Sequence, residues 1–260
     1  MTERDTLEIG LLQAELKWRE PGANRDHLQG LLDGAGSHLD VAILPETFTT
    51  GFLGDPGETE GMDGETVAWM KTMAADYECV LAGSAVIGTP EGRFNRFLWV
   101  EPDGGLVFYD KRHLFAFAGE HKRYRAGNDR VVLQYRGWRV MPQICYDLRF
   151  PVWCRSRSDY DLCIFVANWP SPRVDAWSTL LKARSIENQC YVAGVNRVGV
   201  DGKGNRYPGQ SVLHDAVGAE LARLDDQEGV ARAEISLAQL RATRSELPFL
   251  ADADAFELNG

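Results

Sequence analysis

The sequence is short of positive charge, of metal-binding patterns and of long apolar runs, and each shortage closes off a class of function. It carries 28 lysines and arginines against 38 aspartates and glutamates, a formal net charge of −10 at pH 7. Such a surface repels phosphate backbones and anionic lipid, so neither nucleic acid nor a membrane surface is an expected partner. No uninterrupted apolar stretch reaches the roughly 20 residues that a membrane-spanning helix needs. The opening MTERDTLEIGLLQ puts acidic residues where a secretion signal is basic, which leads us to expect a cytoplasmic protein. The five cysteines, at positions 79, 145, 154, 163 and 190, include no Cys-x-x-Cys pair, and an odd number cannot all pair within one chain. The five histidines, at 27, 38, 113, 121 and 214, lack ligand-like spacing, and zincin, phosphate-loop and Gly-x-Gly-x-x-Gly patterns are missing. Neither a metal nor a cofactor is therefore expected, and any chemistry must come from side chains. Pro/Ser-rich linkers, low-complexity tracts and short-period repeats are absent too, so one domain over residues 1–260 is expected.

What is present suits an ordinary globular core: 260 residues, 44% hydrophobic and 25% charged. Five apolar, β-branched runs read as buried strands: LEIGLLQ from Leu7, DVAILPE from Asp40, CVLAGSAVI from Cys79, DLCIFVANW from Asp161 and CYVAGVNRVG from Cys190. Between them, Val67, Met70, Ala74 and Tyr77 share one stripe of a helix over Glu65–Tyr77. Trp177, Leu180, Leu181 and Arg184 do the same over Arg173–Asn188. Two further segments, FNRFLWVEPDGGLVFYDKRHL and VVLQYRGWRVMPQICYD, break an apolar run at a Gly-containing turn and read as hairpins. Strands alternating with helices, plus inserted hairpins, imply a mixed sheet with helices on its faces, an α/β architecture. SLAQLRATR, from Ser236, is helix-like, and the apolar tail after it, around Leu247 to Leu250, is expected to dock on the body or on another subunit.

Three segments carry the chemistry. In DVAILPETF a core strand runs into Glu46, the place where open α/β sheets keep their active sites, although a lone glutamate reads as readily as a loop cap or ion-pair partner. In LVFYDKRHLF, Asp110, Lys111, Arg112 and His113 stand between aromatics, a pattern shared by site walls and by solvated strand ends. In VMPQICYDLRFPVW a strand ends at Cys145, followed at once by Asp147 and Arg149. The other four cysteines fit small core hydrophobes. A turn that set the Cys145 thiol beside a lysine and exposed amides would favour the thiolate.

Taken together and in this order, the LPE, YDKRHLF and ICYDLRFP segments resemble the nitrilase, or carbon-nitrogen hydrolase, superfamily, over nearly the whole chain. PETFTTGF, YDKRHLF, CYDLRFPVW and ANWPSPR are most similar to its bacterial ω-amidase branch. The resemblance implies a four-layer α-β-β-α sandwich and a homodimer. It also implies Cys145 as nucleophile, Glu46 as general base, Lys111 with the Tyr146 backbone amide as oxyanion stabiliser, and Glu120 beside the lysine. Glu120 otherwise reads as a surface partner of Lys122, Arg123 and Arg125. The implied substrates are 2-oxo-dicarboxylic acid monoamides, 2-oxoglutaramate and 2-oxosuccinamate, whose far carboxylate asks for a cationic clamp. Arg173 is the expected clamp, with Phe52, Phe117 and Trp169 as apolar walls, and Arg149 reads equally as substrate ligand or as buried partner of a carboxylate. Neighbouring branches keep the triad while cleaving other amides, carbamoylated amines or nitriles, and a silent scaffold could keep the fold. A papain-like protease would need a histidine base, for which only His113 is placed near a motif.

Overall fold

The computed structural model describes residues 3–36, 38–54 and 59–258. Two six-stranded sheets face each other. The first is built from β1 (Thr6–Gln13), β2 (Val41–Ile43), β3 (Val80–Thr89), β4 (Gly92–Val100) and β5 (Leu106–Asp110). The second holds β6 (Leu133–Tyr135), β7 (Trp138–Ile144), β8 (Leu162–Ala167) and β9 (Tyr191–Asn196). After a separate ribbon, β10 (Val198–Val200) with β11 (Arg206–Pro208), β12 (Val212–His214) and β13 (Glu220–Arg223) complete it. β14 (Gly229–Ser236) returns to the first sheet, giving orders β14-β1-β2-β3-β4-β5 and β13-β12-β9-β8-β7-β6. In each sheet the central trio is parallel (β1-β2-β3, β7-β8-β9) and the flanking pairs are antiparallel.

The alternation of side chains explains the layering. On the first sheet Leu7, Ile9, Leu11, Val41, Ile43 and Val80 join a core shared with the second sheet. Their neighbours Leu12, Ala42 and Leu81 turn the other way, onto Leu28 and Leu32 of α1 (Pro21–Asp33) and Val67, Met70 and Ala74 of α2 (Glu65–Asp76). Strands buried on both faces read as continuous apolar runs, which is why no polar alternation marks them. Trp177 and Leu181 of α4 (Val174–Asn188), which follows the short α3 (Pro151–Cys154), cover the second sheet from outside. The result is the expected four-layer α-β-β-α sandwich. No helix among the described residues is long and apolar enough to cross a membrane.

Element boundaries differ from expectation in instructive places. The run from Asp40 pairs only over Val41–Ile43, its last ladder bond running from Leu44 N–H to the Ala82 carbonyl at 2.7 Å, so Glu46 lies beyond the strand. The run from Cys190 splits after Asn196, because the buried Arg197 guanidinium donates to the Val198 and Leu16 carbonyls and redirects the chain into the ribbon. The helix expected from Arg173 starts at Val174, after a single 3-10 turn over Ser171–Arg173. Tyr77 and Leu180, placed on buried stripes by spacing, are only half-buried. Both expected hairpins form, the second around Arg136 and Gly137, each at positive φ as a two-residue connection requires. The Ser236 hydroxyl caps α5 (Leu237–Glu246) by accepting from Gln239 N–H at 3.2 Å. Beyond it the Leu247 carbonyl is held by Gln189, whereas Phe249 stays 62% exposed.

Candidate active site

Glu46, Lys111 and Cys145 leave the ends of β2, β5 and β7, and the sandwich brings those three ends together. Glu46 is carried by a loop that crosses close over β3, where a Cβ on Gly83 would meet Leu44 Cβ at 2.8 Å and Phe48 Cδ1 at 3.2 Å. Thr47 turns that loop with φ +43°, rare for a β-branched residue, and its N–H is held by Ser84 Oγ at 2.9 Å. The β4-β5 ladder pairs Arg96 with Asp110 and so sets Lys111 next to Asn95, whose carbonyl accepts the Lys111 N–H at 3.0 Å. Cys145 opens a 3-10 turn with φ +46°, a left-handed conformation costing roughly 1–2 kcal/mol for a residue with a Cβ. The rest of the turn must hold it there.

The Lys111 ammonium is shared by two carboxylates. It lies 2.8 Å from Glu46 Oε1 and 3.0 Å from each oxygen of Glu120, and none of the three side chains reaches solvent. Glu120 also accepts from Phe115 N–H at 2.6 Å, so it is a buried member of the cluster rather than a surface partner of Lys122, Arg123 or Arg125. Sequence reasoning missed two asparagines. Asn95 Nδ2 donates to Glu46 Oε1 at 2.8 Å and to Glu120 Oε1 at 3.3 Å. Asn168, at the end of β8, gives its N–H to Glu46 Oε2 at 2.8 Å and its Nδ2 to the Glu46 carbonyl at 2.7 Å. Glu46 is thereby fixed at both oxygens.

Burial and charge set the proton positions. Burial lowers the Lys111 pKa, but Glu120 and Glu46 overcome it and raise the lysine above its ordinary range. Burial pushes Glu120 upward, as does Glu46, against the pull of Lys111. Burial also pushes the Cys145 thiol well up, Glu46 and Glu120 add to it, and Lys111 with the Asn168 backbone offsets only part. The lysine expected to favour the thiolate is outweighed, by burial first and by the two carboxylates after it, so the thiol is harder to ionise than usual. A resting thiol needs a base in the site.

Cys145 is nonetheless only partly buried, whereas the other four cysteines are fully buried. With Lys111, Tyr146 and Asn168 it lines a cavity of about 460 Å³; Glu46 and Glu120 sit behind that surface. Phe52 packs against Lys111, with the ammonium 5.4 Å from its ring centre, and Trp169 is anchored by donating Nε1–H to the Arg173 carbonyl. Both line the cavity. Phe117, at 90% exposure, is a rim residue and encloses little. Arg173 lines the cavity with its guanidinium over Phe115, and Arg149 lines it over Trp169 at 4.9 Å. Arg149 has no acidic partner among the described residues, so the reading of it as a buried partner of a carboxylate does not hold. Arg206 on the ribbon joins them at the same mouth. His113 lines a different cavity and contacts Asp147, which leaves the thiol without the histidine a papain-like site requires. Among the described residues no group of three or more His, Cys, Asp or Glu side chains is arranged to hold a metal ion.

The carbon-nitrogen hydrolase family profile matches residues 8–245. The chain belongs to the carbon-nitrogen hydrolase family. It is 48% identical to the omega-amidase YafV of Yersinia enterocolitica, covering 97% of this chain and 99% of that one. It is 33% identical to the 2-oxoglutaramate amidase of Bacillus subtilis, covering 94% and 96%. Among solved structures, XC1258 of Xanthomonas campestris, a CN-hydrolase superfamily protein with an arsenic adduct in its active site, superposes with a TM-score of 0.94. That pair is 47% identical and covers 98% of this chain and 100% of that one.

Proposed function

We propose that the protein is an ω-amidase that hydrolyses the side-chain amide of 2-oxoglutaramate, and of 2-oxosuccinamate, through a thioester on Cys145. The observation that carries the chemistry is the buried Glu46–Lys111–Glu120 cluster directly behind the cavity that exposes Cys145. The substrate side rests on the near full-length likeness to an omega-amidase and a 2-oxoglutaramate amidase. It is supported by Arg149, Arg173 and Arg206 at the cavity mouth, none with an acidic partner among the described residues.

An amide carbon is a weak electrophile, so the steps are divided among fixed groups. Glu46 takes the thiol proton as Cys145 Sγ bonds to the amide carbon, and Lys111 with the Tyr146 backbone amide stabilises the oxyanion. The C–N bond then breaks, and the proton on Glu46 leaves with the nitrogen as ammonia. A water enters, Glu46 takes its proton, the new C–O bond forms and the C–S bond breaks. The proton returns to sulfur and the free acid departs. Glu120 keeps Lys111 in place, and Asn95 and Asn168 hold the Glu46 carboxylate. Arg173 clamps the far carboxylate while Phe52 and Trp169 flank the carbon chain.

We further propose that the whole chain works as one carbon-nitrogen hydrolase domain, in the reducing cytoplasm that five free thiols suit, and without binding nucleic acid. The working unit is a homodimer, closed over a face where Val152 (55% exposed) and Leu258 border one cavity. Sedimentation at micromolar concentration should give twice the 29.0 kDa chain mass; a single-chain mass removes the dimer.

The deciding experiment is a panel of 2-oxoglutaramate, 2-oxosuccinamate, glutamine, a simple aliphatic amide and a nitrile, run on wild type and Arg173→Ala. The keto-acid amides should lead, and Arg173→Ala should weaken them selectively. Preference for the nitrile or simple amide overturns the substrate, and equal losses on substrates with and without a far carboxylate remove the clamp. No ammonia from any of them, with no selective iodoacetamide labelling of Cys145, would mean a silent scaffold.

A further inference from the structure

The two segments that carry Lys111 and Cys145 are tied together from behind by one carboxylate. Asp147, two residues beyond Cys145, is wholly buried. Its Oδ2 accepts the Ile144 N–H at 3.0 Å and the Tyr109 hydroxyl at 2.9 Å. Its Oδ1 accepts the His113 N–H at 2.9 Å and lies 2.8 Å from His113 Nδ1, which, facing a carboxylate, acts as donor. Tyr109 in turn accepts from Arg112 N–H at 3.1 Å and from Trp153 Nε1–H at 3.2 Å, so its hydroxyl is held on three sides. His113 is clamped flat on Phe150, with ring centres 3.7 Å apart and planes 10° from parallel.

Tyr109, Arg112 and His113, three residues within two positions of Lys111, thus meet Asp147 directly or through one hydroxyl, while Asp110 turns to Arg96. On the other side Asp147 belongs to the strained turn that starts at Cys145 and holds the amide just before it. We infer that Asp147 is a positioning residue whose carboxylate, through Tyr109 and His113, fixes the Lys111 ammonium relative to the Cys145 thiol. The inference rests on the reading of Cys145 and Lys111 given above.

A buried carboxylate that merely filled space would be replaceable; one that sets the geometry of two reacting segments would not. Misplacement of a catalytic group by about 1 Å costs on the order of 10²-fold in rate. The turn has independent support, because Arg184 Nη2 donates to the Leu148 carbonyl at 2.6 Å, and Asp147→Asn is therefore expected to fold.

The sign of one measurement separates positioning from simple charge removal. Lys111 is the cation that pulls the Cys145 proton affinity down, against Glu46 and Glu120. Removing the Asp147 charge by itself would ease thiol ionisation; letting the Lys111 segment drift away would make it harder. The experiment compares wild type, Asp147→Asn and Tyr109→Phe by iodoacetamide labelling of Cys145 across pH, by turnover of 2-oxoglutaramate and by thermal melting. Positioning predicts a labelling profile displaced to higher pH in both variants. It also predicts kcat lower by about 10²-fold in Asp147→Asn and about tenfold in Tyr109→Phe, with KM within about threefold. An unmoved or downward-shifted profile, or a kcat loss equal to the unfolded fraction, overturns it. Should Asp147→Asn fail to fold, Tyr109→Phe and His113→Gln decide alone, and unchanged labelling in both overturns it. If wild type releases no ammonia, the proposed function fails by itself, while the labelling profile still judges the positioning role.

Discussion

The Lys111 ammonium sits 2.8 Å from Glu46 Oε1 with both side chains completely shielded from water. Removing one member of a buried charge pair leaves the other uncompensated, which costs roughly 3–5 kcal/mol. Lys111→Met should therefore lower stability by about that amount, read by chemical denaturation, and reduce turnover by about 10²–10³-fold through loss of the oxyanion donor.

The same variant should show a pH dependence with a definite sign. Glu120 already holds its proton more tightly in the folded protein than the ordinary value of 4.5. A raised carboxyl contributes stability in acid and loses it as pH climbs through the folded value. Without Lys111 that effect grows, so Lys111→Met should melt higher at pH 5 than at pH 8, by more than wild type does. Equal differences in the two proteins would show that Lys111 does not neutralise this carboxylate pair.

Cys145 should behave as a thiol, not a preformed thiolate. Burial and two carboxylates push its pKa well above 9.0, so iodoacetamide labelling should rise about tenfold per pH unit through pH 9. A plateau below pH 7 would indicate a stable thiolate–ammonium pair. Amide hydrolysis should still run at neutral pH, because Glu46 removes the proton during attack.

Glu120→Gln keeps one acceptor for Phe115 N–H but withdraws the second carboxylate from Lys111. Turnover should fall by about 10²-fold with little change in KM, as for loss of a positioning contact. A purely KM effect in steady-state kinetics would assign Glu120 to substrate binding instead.

Asn168→Ala removes the Nδ2 donor at the Glu46 carbonyl while leaving the backbone N–H on Oε2. Loosening rather than loss is expected, about a tenfold drop in kcat with the melting temperature lowered by a few degrees. Unchanged kinetics would mean that the backbone contact alone orients the base.

Glu46, Lys111 and Cys145 were legible in the chain because each ends or follows an apolar strand within a multi-residue motif. Asn95 was not, since an asparagine beside an arginine in FNRFLW becomes meaningful only when the β4-β5 ladder sets it against Lys111. Asn168 stood inside a quoted motif, yet its role depends on the facing of two sheets whose segments are 122 residues apart. The layered fold followed from strands buried on both faces, whereas the short pairing of β2 and the ribbon after Asn196 depend on long-range contacts such as Arg197 to Leu16. The protonation of Cys145 was unreadable for a related reason. It is a balance of burial, two carboxylates and one ammonium that exists only after folding.

Ammonia release from 2-oxoglutaramate by wild type and by Cys145→Ala, with both proteins shown to be folded, bears most directly on the central claim. Wild type should release one ammonia per substrate hydrolysed, and the variant should fall below about one thousandth of that rate. Appreciable hydrolysis by Cys145→Ala would contradict the thioester mechanism.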